Sequence, residues 1–268
     1  VRSLLEISRS LGVQFHREED GTLWIDPTTI HSCRATHERV RSIRASYYLL
    51  GALLGRFGKV ILDMPGGCNF GNRPIDQHRK GFEAMNGVVS IEHGQILVEA
   101  SPLKGEHIFL DMVSVGATIN LMIAATRAEG VTVIENAARE PHIVDVANFL
   151  NTMGANIKGA GTDIIKITGV PTLPGNSTYT IIPDQIEAGT YMLAGAITRG
   201  DVRVCSIIPK HMEPLAAKLQ EIGVSVEEGD EWIRVHVPRD TVLSGASVKT
   251  MPYPGFPTDL QPQTTVLL

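Results

Sequence analysis

The feature that most constrains the fold is a pattern that recurs three times along the chain. The three copies open with "RASYYLLGALLG", "GATINLMIAATRAEG" and "AGTYMLAGAITRG". In each copy an apolar helical run is followed by a β-branched strand, a second amphipathic helix that ends near a glycine, and two short strands joined by a turn. The helix-ending glycines Gly87, Gly154 and Gly223 are 67 and 69 residues apart. Agreement in order, type and spacing predicts a repeat fold of the α/β class.

The pattern also bears on the chain ends and on the domain boundary. "LLEISRSLGVQFHREEDGTLWIDP" matches the second half of a unit, with Gly12 as its glycine, and "FPTDLQPQTTVLL" matches an opening helix. We therefore expect an internal piece of a longer repeat protein. The connector "GVPTLPGNSTYTIIPDQIEAGTY" is rich in proline and glycine and adds a strand-like run, "STYTII". It predicts a first domain of residues 1–182, with two full units and a half, and a second of residues 183–268, with a ligand cleft between them.

Composition excludes several function classes. The net charge is −5 and no basic run appears, which argues against nucleic-acid binding. The longest apolar stretches, such as "YYLLGALLG", are too short for a membrane span, and the N-terminus lacks signal-peptide features. Three widely spaced cysteines argue against zinc and against a disulfide framework. We expect a cytoplasmic protein with reduced thiols, no metal and no cofactor, in which Cys205 is a buried structural residue.

The loop "PGGCNFGNRP" concentrates residues that carry chemistry. Cys68 follows a predicted strand and lies between glycines, which allow close approach of a ligand and movement of the loop. Arg73 offers a planar, charged fork for a carboxylate or a phosphate. Asp76 belongs to the same group or caps the helix that begins there. A metal site formed by Cys68 with His78 is weakly supported, because no further ligand cluster accompanies them.

Together with "VSVGAT", "IPDQIEAGTYM" and "PYPGFPTDLQPQ", this loop resembles the UDP-N-acetylglucosamine enolpyruvyl transferases, over essentially the whole chain. The resemblance implies an inside-out α/β barrel fold built from repeated β-α-β-α-β-β units in two domains. It implies transfer of the enolpyruvyl group of phosphoenolpyruvate to the 3-hydroxyl of UDP-N-acetylglucosamine with release of phosphate. That reaction is the first committed step of peptidoglycan synthesis, and the loop cysteine of this family is the target of fosfomycin.

The resemblance also implies the roles of individual residues. Cys68 is expected to act as the proton donor, Arg73 to hold phosphoenolpyruvate and Asp259 to act as the base for the sugar hydroxyl. The expected substrate contacts are Arg44, Arg73, Pro74, Ile75, Asp76, Gln77, Met112, Val113, Ser114, Val115 and Asp259. From the residues alone, Asp259 fits a helix N-cap and "VSVGAT" an ordinary helix start. Met112 and Gln185 depart from the family pattern, which has lysine in some members at the first position and commonly arginine at the second.

Besides the transferase interpretation, two alternatives remain open from the sequence. The resemblance places a lysine–asparagine pair before Val1 and a further arginine after Leu268, so the isolated chain is expected to be inactive or nearly so. A 3-phosphoshikimate 1-carboxyvinyltransferase would share the fold and the phosphoenolpyruvate chemistry but lacks the Pro-Gly-Gly-Cys loop as a signature. A non-catalytic repeat module that binds a nucleotide sugar is the third interpretation.

Overall fold

The computed structural model describes residues 1–66, 74–175 and 177–268. Their contacts group into two compact units. The first unit contains Val1–Ala138 and Val146–Thr178, and the second contains Arg139–Asp145 and Tyr179–Leu268. The predicted domain boundary at residues 182 and 183 stays a prediction.

Helices and strands alternate along the described chain. The helices are α1 (Arg2–Ser10), α2 (Tyr48–Phe57), α3 (Asp76–Ala84), α4 (Val115–Ala125), α5 (Pro141–Thr152), α6 (Gln185–Ile197), α7 (Glu213–Glu221) and α8 (Gln261–Leu267). The strands are β1 (Gln14–Arg17), β2 (Leu23–Asp26), β3 (Arg34–Ala35), β4 (Lys59–Asp63), β5 (Val88–Glu92), β6 (Gln95–Glu99), β7 (His107–Phe109), β8 (Val131–Glu135), β9 (Asn156–Lys158), β10 (Ile164–Thr168), β11 (Asp201–Cys205), β12 (Ser225–Glu228) and β13 (Trp232–His236).

Three sheets share one topology, which confirms the repeat seen in the sequence. The strand orders are β3-β4-β6-β5, β7-β8-β10-β9 and β11-β13-β12. In the first two sheets the opening pair is parallel and the other pairs are antiparallel. The third sheet shows the two antiparallel pairs of the same arrangement. Strands β1 and β2 form an antiparallel hairpin after α1, as expected for half a unit.

The repeat places helices in the interior of the first unit. Helix α4 is buried around most of its circumference, as expected for a helix that is apolar on all sides. It packs against α2, and Gly51 of α2 comes so close that a Cβ there would lie 2.3 Å from the carbonyl oxygen of Asn120. The strands bury alternate residues and expose the others, so each sheet covers the helices with one face.

The second unit has a core of its own. Buried side chains of α6, α7 and β13 form it, together with Phe256 and Leu260, and the partly buried Val226 of β12 packs against it. Strand β11 alternates in the same way, and this alternation places Cys205 on the exposed face with Asp201 and Arg203. The prediction that Cys205 is buried is therefore wrong, because its position in the pleat outweighs its apolar character.

One backbone motif ends five of the described helices, and at the end of α6 its left-handed residue is Arg199, with φ of 50°. Gly12, Gly154 and Gly223 all have φ near +100°, and each donates its N–H to the carbonyl three residues earlier. The left-handed position after α3 is Asn86, with φ of 69°, and not Gly87. Gly87 was thus wrongly aligned with the other glycines, and Asn86, Gly154 and Gly223 are 68 and 69 residues apart. Asparagine fits here because it tolerates left-handed backbone better than most residues.

The connector differs from the prediction in one respect. Residues 177–182 form no strand. The Tyr179 hydroxyl donates to Asp145 Oδ1 at 2.6 Å, and the Ile182 N–H donates to the same oxygen at 3.4 Å. The β-branched run therefore bonds to a side chain instead of joining a sheet.

Among the residues with described positions, no helix combines the length and the apolar character that a membrane crossing requires.

Candidate functional site

Arg44 lies in a group of stacked side chains at the entrance to α2. It begins the 3-10 helix Arg44–Tyr47, and its guanidinium carbon lies 4.3 Å from the centre of the Tyr47 ring. The other stacking partner of Tyr47 is His78 of α3, with ring centres 5.6 Å apart and an interplanar angle of 28°. Stacking of this kind holds a guanidinium in place without using its hydrogen-bond donors. The Tyr47 ring therefore holds the Arg44 guanidinium at the entrance to α2.

His78 is buried and is the most strongly perturbed titratable side chain of this group. Neither ring nitrogen has a hydrogen-bond partner among the described residues. Burial, reinforced by the charge of Arg44, lowers the pKa of His78 to about 4, so the ring is neutral at pH 7. The Gly116 backbone lies near enough to oppose this shift but lacks hydrogen-bond geometry. A Cβ on Gly116 would lie 3.1 Å from His78 Nε2, so α3 packs tightly on the first turn of α4.

The first two residues of α3 and the two residues before it are four of the predicted contact residues. Pro74 is exposed. Ile75 is buried and occupies the N-cap position of α3, which therefore has no side-chain cap. Asp76 begins the helix and makes no capping hydrogen bond, so the capping alternative for Asp76 is not seen. The carboxylate of Asp76 instead accepts from Gln77 Nε2 at 2.9 Å. Gln77 is buried, and its Oε1 accepts the backbone N–H of Asp111 at 2.8 Å.

The segment before α4 contains the second predicted group. Met112 and Val113 are exposed in the loop that follows β7. Ser114 is the N-cap of α4, and its hydroxyl accepts the Ala117 N–H at 3.3 Å. The helix-start interpretation of "VSVGAT" is thus confirmed for Ser114, and Val115 begins the helix. A helix N-terminus presents N–H groups and a partial positive charge, which suit an anion.

Asp63 anchors the start of the cysteine loop at the end of β4. Its buried carboxylate accepts from Arg41 Nε at 3.2 Å and from Gln95 Nε2 at 2.8 Å. Gly66 packs so closely on the backbone of Arg41 that no side chain fits there. Cys68 and Arg73 lie outside the described residues, so their predicted roles stay predictions.

Asp259 belongs to the second unit and lies in the short 3-10 helix Thr258–Leu260. Its carboxylate is exposed and accepts from the Thr258 hydroxyl at 3.2 Å. Neither this 3-10 helix nor α8 has a side-chain cap. The capping interpretation of Asp259 is therefore wrong. Within the described chain, the carboxylate accepts a hydrogen bond from Thr258 only.

Within the first unit the fold connects three predicted stretches. Arg44 reaches α3 through Tyr47 and His78, and Gln77 connects α3 to the segment 112–115 through Asp111. No sequence motif pointed to Tyr47, Asp63 or Asp111. The one available signal was position, since Asp63 precedes the cysteine loop and Asp111 precedes the "MVSV" segment. No cluster of three or more His, Cys, Asp or Glu side chains suited to a metal occurs in residues 1–66, 74–175 and 177–268.

Comparison with known proteins places these elements in a family. The sequence profile described as EPSP synthase (3-phosphoshikimate 1-carboxyvinyltransferase) matches residues 1–268. The chain belongs to the EPSP synthase family. Among curated members it is 58% identical over 268 residues to UDP-N-acetylglucosamine 1-carboxyvinyltransferase 3 of Caldanaerobacter subterraneus. It is 57% identical over 268 residues to UDP-N-acetylglucosamine 1-carboxyvinyltransferase of Clostridium botulinum. These matches cover all of this chain but 63% and 64% of the relatives, so the chain spans less than two thirds of their length.

Solved structures of the EPSP synthase family confirm the fold class. The enolpyruvyl transferase NikO from Streptomyces tendae superposes with a TM-score of 0.84 at 23% identity, covering 99% of this chain and 63% of that one. EPSP synthase from Acinetobacter baumannii gives a TM-score of 0.62 at 21% identity, covering 91% and 57%. The α/β repeat expected from the sequence is thus the enolpyruvyl transferase fold.

Proposed function

We propose that this chain is part of a UDP-N-acetylglucosamine 1-carboxyvinyltransferase that acts in peptidoglycan synthesis in the cytoplasm. The substrates are phosphoenolpyruvate and UDP-N-acetylglucosamine, and no cofactor is needed. The observation that carries the proposal is the connection of Arg44, the α3 start and the α4 start within one unit. These elements offer a cation, two helix N-termini and a capping hydroxyl, a combination that suits a diphosphate.

The relatives' names distinguish between the two family reactions. Curated proteins named for UDP-N-acetylglucosamine are 51–58% identical to this chain. The solved EPSP synthases are 21% identical to it. This difference supports the nucleotide sugar as acceptor, although the family profile has the name of the shikimate enzyme.

The reaction requires an acid and a base. Asp259 takes the proton of the sugar 3-hydroxyl as the oxygen bonds to C2 of phosphoenolpyruvate, and Cys68 gives a proton to the C3 methylene, which becomes a methyl group. Loss of a proton from that methyl group and departure of phosphate then restore the double bond. A free thiol is mostly protonated at neutral pH, as the role of proton donor requires. Arg73 and Arg44 hold the anionic substrates.

Phosphate release tests the proposal. The 268-residue chain, and the same chain extended by its own gene to the relatives' length, are assayed with phosphoenolpyruvate and either UDP-N-acetylglucosamine or shikimate 3-phosphate. We expect turnover of the extended protein with the nucleotide sugar only, and little or none by the shorter chain. Turnover with shikimate 3-phosphate would replace the proposal with the sister reaction. Calorimetric binding of the nucleotide sugar without turnover by the extended protein would support a non-catalytic module.

A further inference from the structure

The side-chain amide of Gln77 is committed to hydrogen bonds within the protein. Gln77 is 5% exposed. Its Nε2 donates to Asp76 Oδ2 at 2.9 Å and to Asp111 Oδ2 at 3.3 Å, which uses both hydrogens of the amide. Its Oε1 accepts the Asp111 N–H at 2.8 Å. The Gln77 side chain therefore has no N–H group left for a substrate, although Gln77 lies in the predicted contact stretch.

Asp111 forms the other half of this connection. It lies two residues after the end of β7 and directly precedes the predicted contact segment 112–115. Asp111 bonds to Gln77 through both its backbone N–H and its carboxylate. The other carboxylate oxygen accepts from Lys80 Nζ of α3 at 2.5 Å, so two residues of α3 hold this one position. The hydrogen bonds from Lys80 and Gln77 lower the pKa of Asp111, which keeps the carboxylate charged at neutral pH.

The two contacts of the carboxylate differ in what they stabilise. Lys80 and Asp111 are both well exposed, and exposed ion pairs contribute little because water competes for both charges. The buried Gln77 amide has no such alternative, since a buried donor without an acceptor costs about 1–3 kcal/mol. The Gln77 contact is therefore the one that fixes the loop against the helix.

We propose that Asp111 is a positioning residue for nucleotide-sugar binding, acting through Gln77. The connection sets the spacing between residues 74–77 at the start of α3 and the segment 112–115, so that both contact one ligand together. This inference rests on the proposed function and adds to it a residue outside the predicted contact set. Asp111 itself does not touch the substrate.

A double-mutant cycle in the extended protein tests the inference, with Asp111→Ala, Asp111→Asn, Gln77→Leu and the double variant Asp111→Ala/Gln77→Leu. Loss of one such hydrogen bond corresponds to about a tenfold weaker Kd for UDP-N-acetylglucosamine in Asp111→Ala. Asp111→Asn retains an acceptor for Gln77 and is expected within about threefold of wild type. In the Gln77→Leu background, Asp111→Ala should not weaken the Kd further, because the hydrogen bond between the two side chains is already absent.

Lys80→Met is the matched control, since it removes the ion pair and leaves the Gln77 contacts in place. We expect its Kd within about twofold of wild type. The KM for phosphoenolpyruvate and kcat of Asp111→Ala should stay near wild-type values, even though the unpaired Gln77 donor lowers its melting temperature. General loss of structure at the site would change all of these quantities together. An unchanged Kd in Asp111→Ala, additive effects in the double variant, or an equal loss in Lys80→Met would overturn the inference while the proposed function stood. Absence of nucleotide-sugar binding by the wild-type protein would overturn both.

Discussion

The backbone N–H of Gly51 in α2 donates a 2.9 Å hydrogen bond to the side-chain oxygen of Asn120 in α4. The contact is possible because residue 51 has no side chain, as a Cβ would come within 2.3 Å of the Asn120 carbonyl oxygen. We predict that Gly51→Ala lowers the free energy of unfolding by about 2–3 kcal/mol, because two buried helices must separate. Urea denaturation measures this change.

Gly55, one turn further along α2, is the matched control for that substitution. A Cβ at Gly55 would lie 3.4 Å from the Arg127 side chain, which is an ordinary contact. Alanine there is expected to leave stability unchanged or to raise it by up to about 1 kcal/mol, since glycine is a poor helix former. Equal changes in the free energy of unfolding for Gly51→Ala and Gly55→Ala would show that the close contact between α2 and α4 does not require glycine at position 51.

Ser114 combines a structural role with a proposed substrate contact, and two substitutions separate them. Ser114→Ala removes the α4 cap and should lower the free energy of unfolding by about 1 kcal/mol. Ser114→Asp keeps a good cap but adds a negative charge where the diphosphate is proposed to bind. We expect wild-type stability and at least about a tenfold weaker Kd for UDP-N-acetylglucosamine. Calorimetric titration and thermal unfolding provide the two measurements, and unchanged affinity in Ser114→Asp would place the ligand elsewhere.

His78 predicts a pH dependence of stability with a definite sign. Its pKa is about 4 in the folded protein and about 6.5 in an unfolded chain. Above pH 6.5 the ring is neutral in both states and costs nothing. As the pH falls from 6.5 towards 4, the unfolded chain takes up a proton that the folded chain does not, so stability falls, by about 2 kcal/mol between pH 7 and pH 5.

Gln in place of His78 cannot titrate, so His78→Gln should lose less stability over the same pH range. Arg44, Asp76 and Tyr47 face the ring and are present in both proteins, so the difference between the two urea-denaturation profiles isolates His78. Parallel profiles for the two proteins would mean that His78 takes up its proton equally in the folded and unfolded states.

Asp259 is predicted to matter for turnover and not for folding. Asp259→Asn removes the proposed base and should lower kcat of the extended protein by about 10²–10⁴-fold, with little change in the melting temperature. Thr258→Val removes the hydrogen bond that Asp259 accepts and serves as a control, expected within about fivefold of wild type. A kcat for Asp259→Asn close to that of the control would assign proton removal to another group.

The last prediction concerns Cys68, which lies outside the described residues. Cys68→Ala should abolish phosphate release in the extended protein, and fosfomycin should form one covalent adduct at Cys68, detectable by intact mass and peptide mapping. Exposed Cys205 provides an internal control, because an adduct there would indicate non-selective alkylation. Normal turnover in Cys68→Ala would remove the thiol from the proposed mechanism.

Local patterns predicted the repeat and the order of its elements, because periodicity and helix-ending residues are local properties. The same reasoning failed at Asn86, where a second residue type satisfies a left-handed backbone, and at residues 177–182, where a side chain replaces a sheet partner. The contacts of His78 with Tyr47 and of Gln77 with Asp111 join residues more than 30 positions apart. No local pattern encodes such pairs, so the connected part of the candidate site became visible only in the folded chain.

The use of asparagine at one of these helix ends has a consequence for how the repeats diverge. Asn86 Nδ2 donates to the carbonyl oxygen of Pro102, so this helix end is tied to the chain that leaves the adjoining hairpin. Glycine offers no side chain for such a tie at Gly12, Gly154 or Gly223. At those ends the chain that leaves the hairpin is held by the backbone alone, since His31, Gly175 and Ser244 each donate an N–H to the carbonyl of the residue before the glycine. Every hairpin is thus fastened at its exit, so its length should stay nearly constant among related sequences while the identity of the helix-ending residue varies.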